Sequence, residues 1–360
     1  MSNLAAASAN PLPVSTVDLF GRRWEIKVMT QSGTEIIYTS SAWDPEALRA
    51  TFDINQNMLS AMWTAEISIY NLNYQTATQA IPGAPGVAGT AQISLGDQIT
   101  VSAGYQHGSN YGVIWVGQIY QVTYERENVT DYKTTFMCLA SIEGWNRNLV
   151  STAYPAQMSQ YNLVKMMIAN SQTPKVAFNM VPADQQAISG TGSPRAGVMH
   201  GDLAKYMGMT ADQQDNWITT HTGQGLLLGD IASEDSTPDY TYAPAPPPGQ
   251  TVSYSTPTTQ SLIGSPVQYQ AGVQFQVLLD ARLKCQLPPQ LVKLDMTVIK
   301  QLQQSISTIG NEVPQLSLVV PLDKTGQFFV VALRHVGDTR ENTWLTYVTA
   351  AQNLEHAYDS

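Results

Sequence analysis

The stretch Phe328–Thr349, FFVVALRHVGDTRENTWLTYVT, sets two β-prone runs on either side of a polar turn, Gly337-Asp338-Thr339-Arg340-Glu341-Asn342. The first run is rich in Phe and Val. In the second, Trp344, Thr346 and Val348 alternate with Leu345, Tyr347 and Thr349. A period of two is what a half-buried strand requires, and two such runs around a turn form a hairpin. Asp338 and Arg340 are expected to pair and lock the turn through a bidentate hydrogen bond. The tip is expected to touch a domain or subunit boundary, with Gly337, Asp338, Arg340, Asn342 and Trp344 as the turn and interface candidates.

The same alternation recurs upstream. After an N-terminal arm rich in Pro, Ser and Ala, strands are expected at Arg23–Thr30, Glu35–Thr39, Ala50–Asn55 and Thr64–Leu72. A Pro- and Gly-bearing loop, Gln79–Gly89, precedes strands at Gln98–Tyr105, Gly112–Glu125 and Lys133–Ser141. Gly117, inside an apolar run, reads as a bulge or a sharp bend. The middle differs. Tyr161, Val164, Met167 and Ile168 share one face at helical spacing, so Met158–Asn170 is expected to be a helix. His200–Met209 is a weaker helix candidate, with Asp202 as its cap. Asn216–Leu228 reads as a hairpin about Gly223-Gln224-Gly225. Tyr240–Leu279 contains no Asp, Glu, Lys or Arg, and the prolines in its first part mark a semi-extended, partly polyproline II connector. Strands resume at Gly272–Leu279, Leu316–Leu322 and the hairpin itself; Leu291–Ser305 fits helix or strand. No internal repeat is visible.

Composition narrows the function. The chain has 360 residues, 43% of them hydrophobic, which suits a globular protein of two or three domains. Only 13% are charged, about half the usual share, so Gln, Ser, Thr and Asn must supply the polar surface. The net charge is −10, and the densest cationic groups are only Arg22-Arg23 and Arg282/Lys284. Sequence-reading nucleic-acid binding and binding to anionic membranes both call for a basic face, which is absent here. The two cysteines, Cys138 and Cys285, make neither a disulfide framework nor a zinc site and read as core residues. Residues 1–20, without a basic region or a long apolar core, are not expected to act as a secretory leader, and no apolar run reaches the length a membrane span needs.

Catalytic signatures are missing. No GxSxG elbow occurs, and Gly190-Thr191-Gly192-Ser193-Pro194 has the wrong spacing and a proline where an oxyanion-hole donor would sit. None of the five histidines, His107, His200, His221, His335 and His356, belongs to an HExxH motif. His200-Gly201-Asp202 and His335-Val336-Gly337-Asp338 place His near Asp, which local turn chemistry explains. Gly223-Gln224-Gly225-Leu226-Leu227-Leu228-Gly229 looks like a dinucleotide fingerprint with one residue too many before its third glycine. An acidic run holding Asp212, Asp215, Asp230, Glu234 and Asp235 is the place for a glycosidase pair if there is one; a solvated surface is its ordinary meaning. No catalytic residue, cofactor or metal is expected.

Several blocks together resemble the baseplate (tail tip) hub proteins of tailed phages. The terminal block Phe329–Thr346 is similar to their closing strand pair. Gly112–Lys133 (GVIWVGQIYQVTYERENVTDYK), Ala50–Asn73 and Gly272–Val298 are similar to earlier and later strands. The resemblance implies a β-rich α+β chain with two tube-like β-barrel domains flanking a mixed α/β middle. On that scheme residues 1–14 are a flexible arm, 15–148 the first barrel, 149–239 the middle, 240–265 an uncharged Pro-rich connector and 266–360 the second barrel. It also implies a structural virion protein, not an enzyme, assembled in the host cytoplasm into the tail tip. Three chains would form a pseudo-sixfold ring adapting a sixfold tail tube to a threefold spike. Its partners would be the tube or tube-initiator protein, the spike, the tape measure protein and surrounding baseplate proteins. DNA would pass in transit without sequence-specific binding, and no membrane insertion is expected. Type VI spike proteins share this architecture and usually carry a long C-terminal β-helix; with the sequence reaching Ser360 soon after its last strand, a phage hub with a separate spike is the expectation. Two other functions compete: a carbohydrate- or receptor-binding virion protein using Trp43, Trp63 or Trp217 as platforms, and a peptidoglycan glycosidase using Asp230 and Glu234.

Overall fold

The computed structural model describes residues 21–40, 47–59, 62–72, 93–106, 110–140, 149–170, 178–179, 195–203, 205–206, 217–222, 225–230, 239–244, 258–269, 272–295, 297, 299, 322 and 325–352. The N-terminal arm, the Gln79–Gly89 loop and the span 316–321 lie outside them.

Strands dominate. In chain order they are β1 (Arg22–Met29), β2 (Glu35–Ser40), β3 (Ala50–Asn57), β4 (Thr64–Tyr70), β5 (Gln98–Tyr105), β6 (Gly112–Arg126), β7 (Tyr132–Leu139) and β8 (Leu149–Tyr154). Helix α1 (Gln160–Ala169) follows, then β9 (Phe178–Asn179), β10 (Gly197–Asp202), β11 (Trp217–Thr222) and β12 (Gly225–Asp230). The last part holds β13 (Tyr240–Pro244), β14 (Thr258–Tyr269), β15 (Gly272–Leu278), β16 (Leu291–Leu294), β17 (Gln327–Asp338) and β18 (Trp344–Ala351).

Period-two burial makes these strands. Trp344, Thr346, Val348 and Ala350 of β18 face inward, as do Ala50, Phe52 and Ile54 of β3. Thirteen strands form one sheet in the order β16-β13-β14-β15-β18-β17-β3-β4-β7-β6-β5-β1-β2. The chain is therefore β-rich, as expected, but the two separate barrels are replaced by a continuous sheet. β16 also pairs with β17, so the C-terminal six strands complete a circuit of ladders; among the described residues the N-terminal seven end at β2 without such a closing ladder. The halves are zipped by β17 against β3, from Ala332 opposite Asn57 to Asp338 opposite Thr51. One hydrophobic core runs through both, from Trp24 and Ile26 to Val348 and Ala350.

Several expectations are corrected. Much of the expected connector is sheet: β13 pairs with β14 and β16 in parallel, and β14 pairs with β15. His200–Asp202 belong to β10, which pairs with β8, and of the expected helix Leu203, Lys205 and Tyr206 are helical, so it begins after Asp202 and not at His200. Of Leu291–Ser305, Leu291–Leu294 is strand, while Val298, Leu302 and Ser305 lie outside the described residues. Gly117 is not a bulge. Extra residues fall at Ile114 and Tyr120 on either side of it. The glycine is needed because a Cβ there would lie 2.5 Å from the Trp115 ring and 2.6 Å from the Leu139 carbonyl oxygen.

The middle contains α1, the β8–β10 pair and a three-stranded sheet of β11, β12 and β9. α1 is the expected helix. Ser159 caps it by accepting from Asn162 N–H at 3.3 Å, and Val164 and Met167 bury against Val150 and Leu203. The expected hairpin appears as β11 against β12.

Candidate functional site

The β17–β18 turn does not stand free. It is clamped onto the other half of the sheet by arginines far upstream. Arg49 grips the Asp338 carboxylate in fork geometry, Nη2–Oδ2 at 2.6 Å and Nε–Oδ1 at 3.3 Å, and also reaches Glu341 Oε1 at 2.8 Å. Oδ1 of Asp338 additionally accepts from the amides of Arg340 at 2.8 Å and Glu341 at 3.1 Å. The expected Asp338–Arg340 pair is thus replaced. Asp338 takes the backbone of Arg340, and the Arg340 guanidinium donates instead to the Ala47 carbonyl. Arg22 donates to the carbonyls of Asp338 at 3.0 Å, Asn342 at 3.2 Å and Glu341. Thr339 extends the seam, donating N–H to Ala50 O at 3.0 Å and accepting from Ala50 N at 2.9 Å.

Packing reinforces the clamp. Trp344 is buried edge-on against Phe52, centroids 5.3 Å apart, with the Arg22 guanidinium 5.4 Å above its ring. Gly337 lies directly on the Phe52 ring. Arg49 sits 4.6 Å over Tyr70. Burial alone would raise the Asp338 pKa. The bonds from Arg49 and the two amides outweigh it and hold the carboxyl below its ordinary value. Its contribution to stability is present above the ordinary carboxylate pKa and lost as pH falls through its own lower one. Asp338→Ala is expected to cost about 2 kcal/mol, since hydrogen bonds to charged groups contribute ~1.5–3 kcal/mol. The loss should shrink in an Arg49→Met background, where the partner is already gone. Urea unfolding of the four chains of this cycle checks it; equal, additive losses would contradict the pairing.

All five residues expected at the turn converge here: Gly337 and Trp344 in the packing, Asp338 and Arg340 in side-chain bonds, Asn342 through its carbonyl. Arg22, Arg49 and Phe52 were missed. Arg22 had one signal, membership of the densest basic pair in the N-terminal half. His335 is buried in β17, pointing away from solvent. His200 and Asp202 lie on β10. Trp63 is buried with its Nε1 donating to Asn57 O at 3.1 Å, so it is no platform. Trp43 and Glu234 lie outside the described residues. Among the described residues no group of three His, Cys, Asp or Glu is arranged to hold a metal.

On the sheet's outer face, a hollow of about 610 Å³ crosses β3, β17, β18, β15 and β14. Asn55, Asn57, Gln274, Gln276 and Thr349 line it, and its one cation, Arg334, is held by Asp53 at 2.6 and 2.9 Å. The wall mixes these polar side chains with Ile263, Val267 and Tyr347, and its one cation is compensated.

No protein-family model matches the chain, and no curated protein matches it. Solved structures do. A prophage tail protein from Shewanella oneidensis aligns over 92% of this chain and 97% of its own, with TM-score 0.50 and 8% identity. A tail protein from Neisseria meningitidis aligns over 94% of this chain and 99% of its own, with TM-score 0.49 and 10% identity. At these identities the likeness is one of fold.

Proposed function

We propose that this chain is a structural hub subunit of a phage-like tail tip, three copies of which form a pseudo-sixfold ring between a sixfold tail tube and a threefold spike. The carrying observation is the β17–β3 seam. It joins two β-rich lobes of one chain edge to edge, and Arg22 and Arg49 lock them at the hairpin tip. Two rigidly joined lobes per chain are what a three-chain ring needs to meet a sixfold neighbour. The fold shared with a prophage tail protein supports the same role. In this proposal the ring contacts the tube or tube-initiator protein, the spike, the tape measure protein and outer baseplate proteins. DNA passes through without being read. The hollow on the seam's outer face suits such passage, because Asp53 neutralises Arg334 and no cation cluster is left there to hold phosphate. The chain acts by binding and shaping, without a catalytic step.

Light scattering of the purified protein tests the proposal. The expected mass is three times that of the chain. A monomer across the accessible concentration range, or a stable dimer, would contradict it.

A further inference from the structure

The two halves of the sheet are joined at the β17–β3 seam and a second time by segment 279–286, which follows β15. This segment lies outside the sheet yet alternates like a strand. Ala281, Leu283 and Cys285 are buried, while Lys284 and Gln286 are exposed. It packs on the N-terminal half. Asn110 Nδ2 donates to Leu279 O at 3.4 Å, and the Ala281 amide donates to Asn110 O at 3.4 Å. Cys285 Sγ lies 3.7 Å from the carbonyl oxygens of Gln56 in β3 and Val331 in β17. The Leu279 amide also donates to Trp344 O at 3.0 Å, so the segment reaches the hairpin clamp.

A buried carboxylate anchors the segment. Asp280 is 1% exposed. Its Oδ1 accepts from the Arg282 amide at 3.0 Å and from Arg282 Nε at 2.8 Å. Its Oδ2 accepts from Arg282 Nη2 at 2.6 Å and from the Tyr242 hydroxyl at 3.1 Å. A charge this deep is tolerated because it is paired and hydrogen-bonded. The Asp280 amide donates to Thr346 Oγ1 at 3.1 Å, and Thr346 Oγ1 lies 2.9 Å from His335 Nδ1. One relay thus runs from the segment through β18 to an imidazole in β17, a strand of the seam.

The groups around that imidazole leave an added proton without a ready partner. β3 sets Ile54 opposite it, and β18 sets Thr346. The segment brings Asp280 and Lys284, and β13 contributes Tyr242 behind Asp280. Lys284 opposes a second positive charge. Asp280 favours one, but Arg282 already holds both of its oxygens. A protonated Nδ1 becomes a donor, so the Thr346 hydroxyl proton must turn out of the bond. Burial further disfavours the charged ring. A charged His335 must therefore compete with Arg282 for Asp280.

We infer that His335 is a proton sensor for the joint between the halves: its protonation draws Asp280 from Arg282, releases segment 279–286 from Asn110, and leaves the β17–β3 seam as a hinge between two folded lobes. Losing the second connection turns a rigid joint into a hinge. The device goes beyond the ring proposed above and does not depend on it. It also differs from plain acid destabilisation, because each lobe keeps its strands.

A chain carrying Ser32→Cys and Ser265→Cys, one exposed site on each half, tests it with spin labels. The native Cys138 and Cys285 are buried and stay unlabelled. The expected distance distribution is narrow at pH 7 and about twofold wider at pH 4, with the circular dichroism of the strands retained. In His335→Asn it should stay narrow at pH 4. In Asn110→Ala, which weakens the segment's hold, widening should begin at a higher pH; this comparison decides the matter if His335→Asn does not fold. The inference is overturned by no widening at pH 4, by equal widening in His335→Asn, or by an Asn110→Ala onset equal to that of the native chain. Widening that comes with loss of the strand signal overturns it too, and leaves only the acid destabilisation of a buried imidazole.

Discussion

Gly337→Val is expected to lower the unfolding free energy by more than about 3 kcal/mol, the upper end of the usual cost of overpacking a core. A Cβ at this position would lie 2.2 Å from Phe52 Cζ and 2.6 Å from Cε1. The ring has nowhere to retreat, because Phe52 is buried and stands edge-on against the buried Trp344. The backbone cannot shift cheaply either, since Gly337 pairs with Phe52 on one side and with Trp344 on the other. The clash thus falls on the joint between the two halves of the molecule. Phe52→Leu should cost stability alone yet relieve part of the Gly337→Val loss, giving a favourable coupling of more than about 1 kcal/mol in a double-mutant cycle. Denaturant unfolding of the four chains measures it. Additive losses would show that the close approach carries no weight.

Acid should weaken the C-terminal half through His335. Its ring is 1% exposed, and burial pulls its pKa down from 6.5 to about 4; nearby Asp280 raises it and Lys284 lowers it by smaller amounts. Nδ1 lies 2.9 Å from Thr346 Oγ1, which accepts the Asp280 amide at 3.1 Å and so directs its own proton toward the imidazole. That arrangement fits a neutral ring and penalises a charged one. A group whose folded pKa is depressed in this way binds more protons when unfolded. Its contribution is complete above pH 6.5, falls between pH 6.5 and pH 4, and is gone below. The size is about 3 kcal/mol at 1.36 kcal/mol per pKa unit. Unfolding free energies at pH 7 and pH 4 should therefore converge less in the native chain than in His335→Asn, whose amide does not titrate. Parallel pH profiles for the two chains would contradict the neutral buried imidazole.

Most strands were legible because each depends on its own alternation. Gln98–Tyr105 and the Phe328–Thr349 hairpin needed only the period of two and turn residues. The connector was misread for a physical reason: proline and missing charge mark extended backbone, and extended backbone can still pair. Pro244 ends β13, and Pro266 lies within the irregular stretch of β14 between Ile263 and Val267, places where a sheet tolerates a missing N–H. In the candidate site, Gly337 and Trp344 carried local signals. Arg49 carried none, because it meets Asp338 across 289 residues of chain.

The proposed role depends most on two joined lobes per chain arranged three times around an axis. Class-averaged electron-microscope images of the purified assembly would show this directly. The account expects a closed ring with threefold symmetry and six similar lobes. A ring of six chains, a twofold particle or an open filament would contradict it.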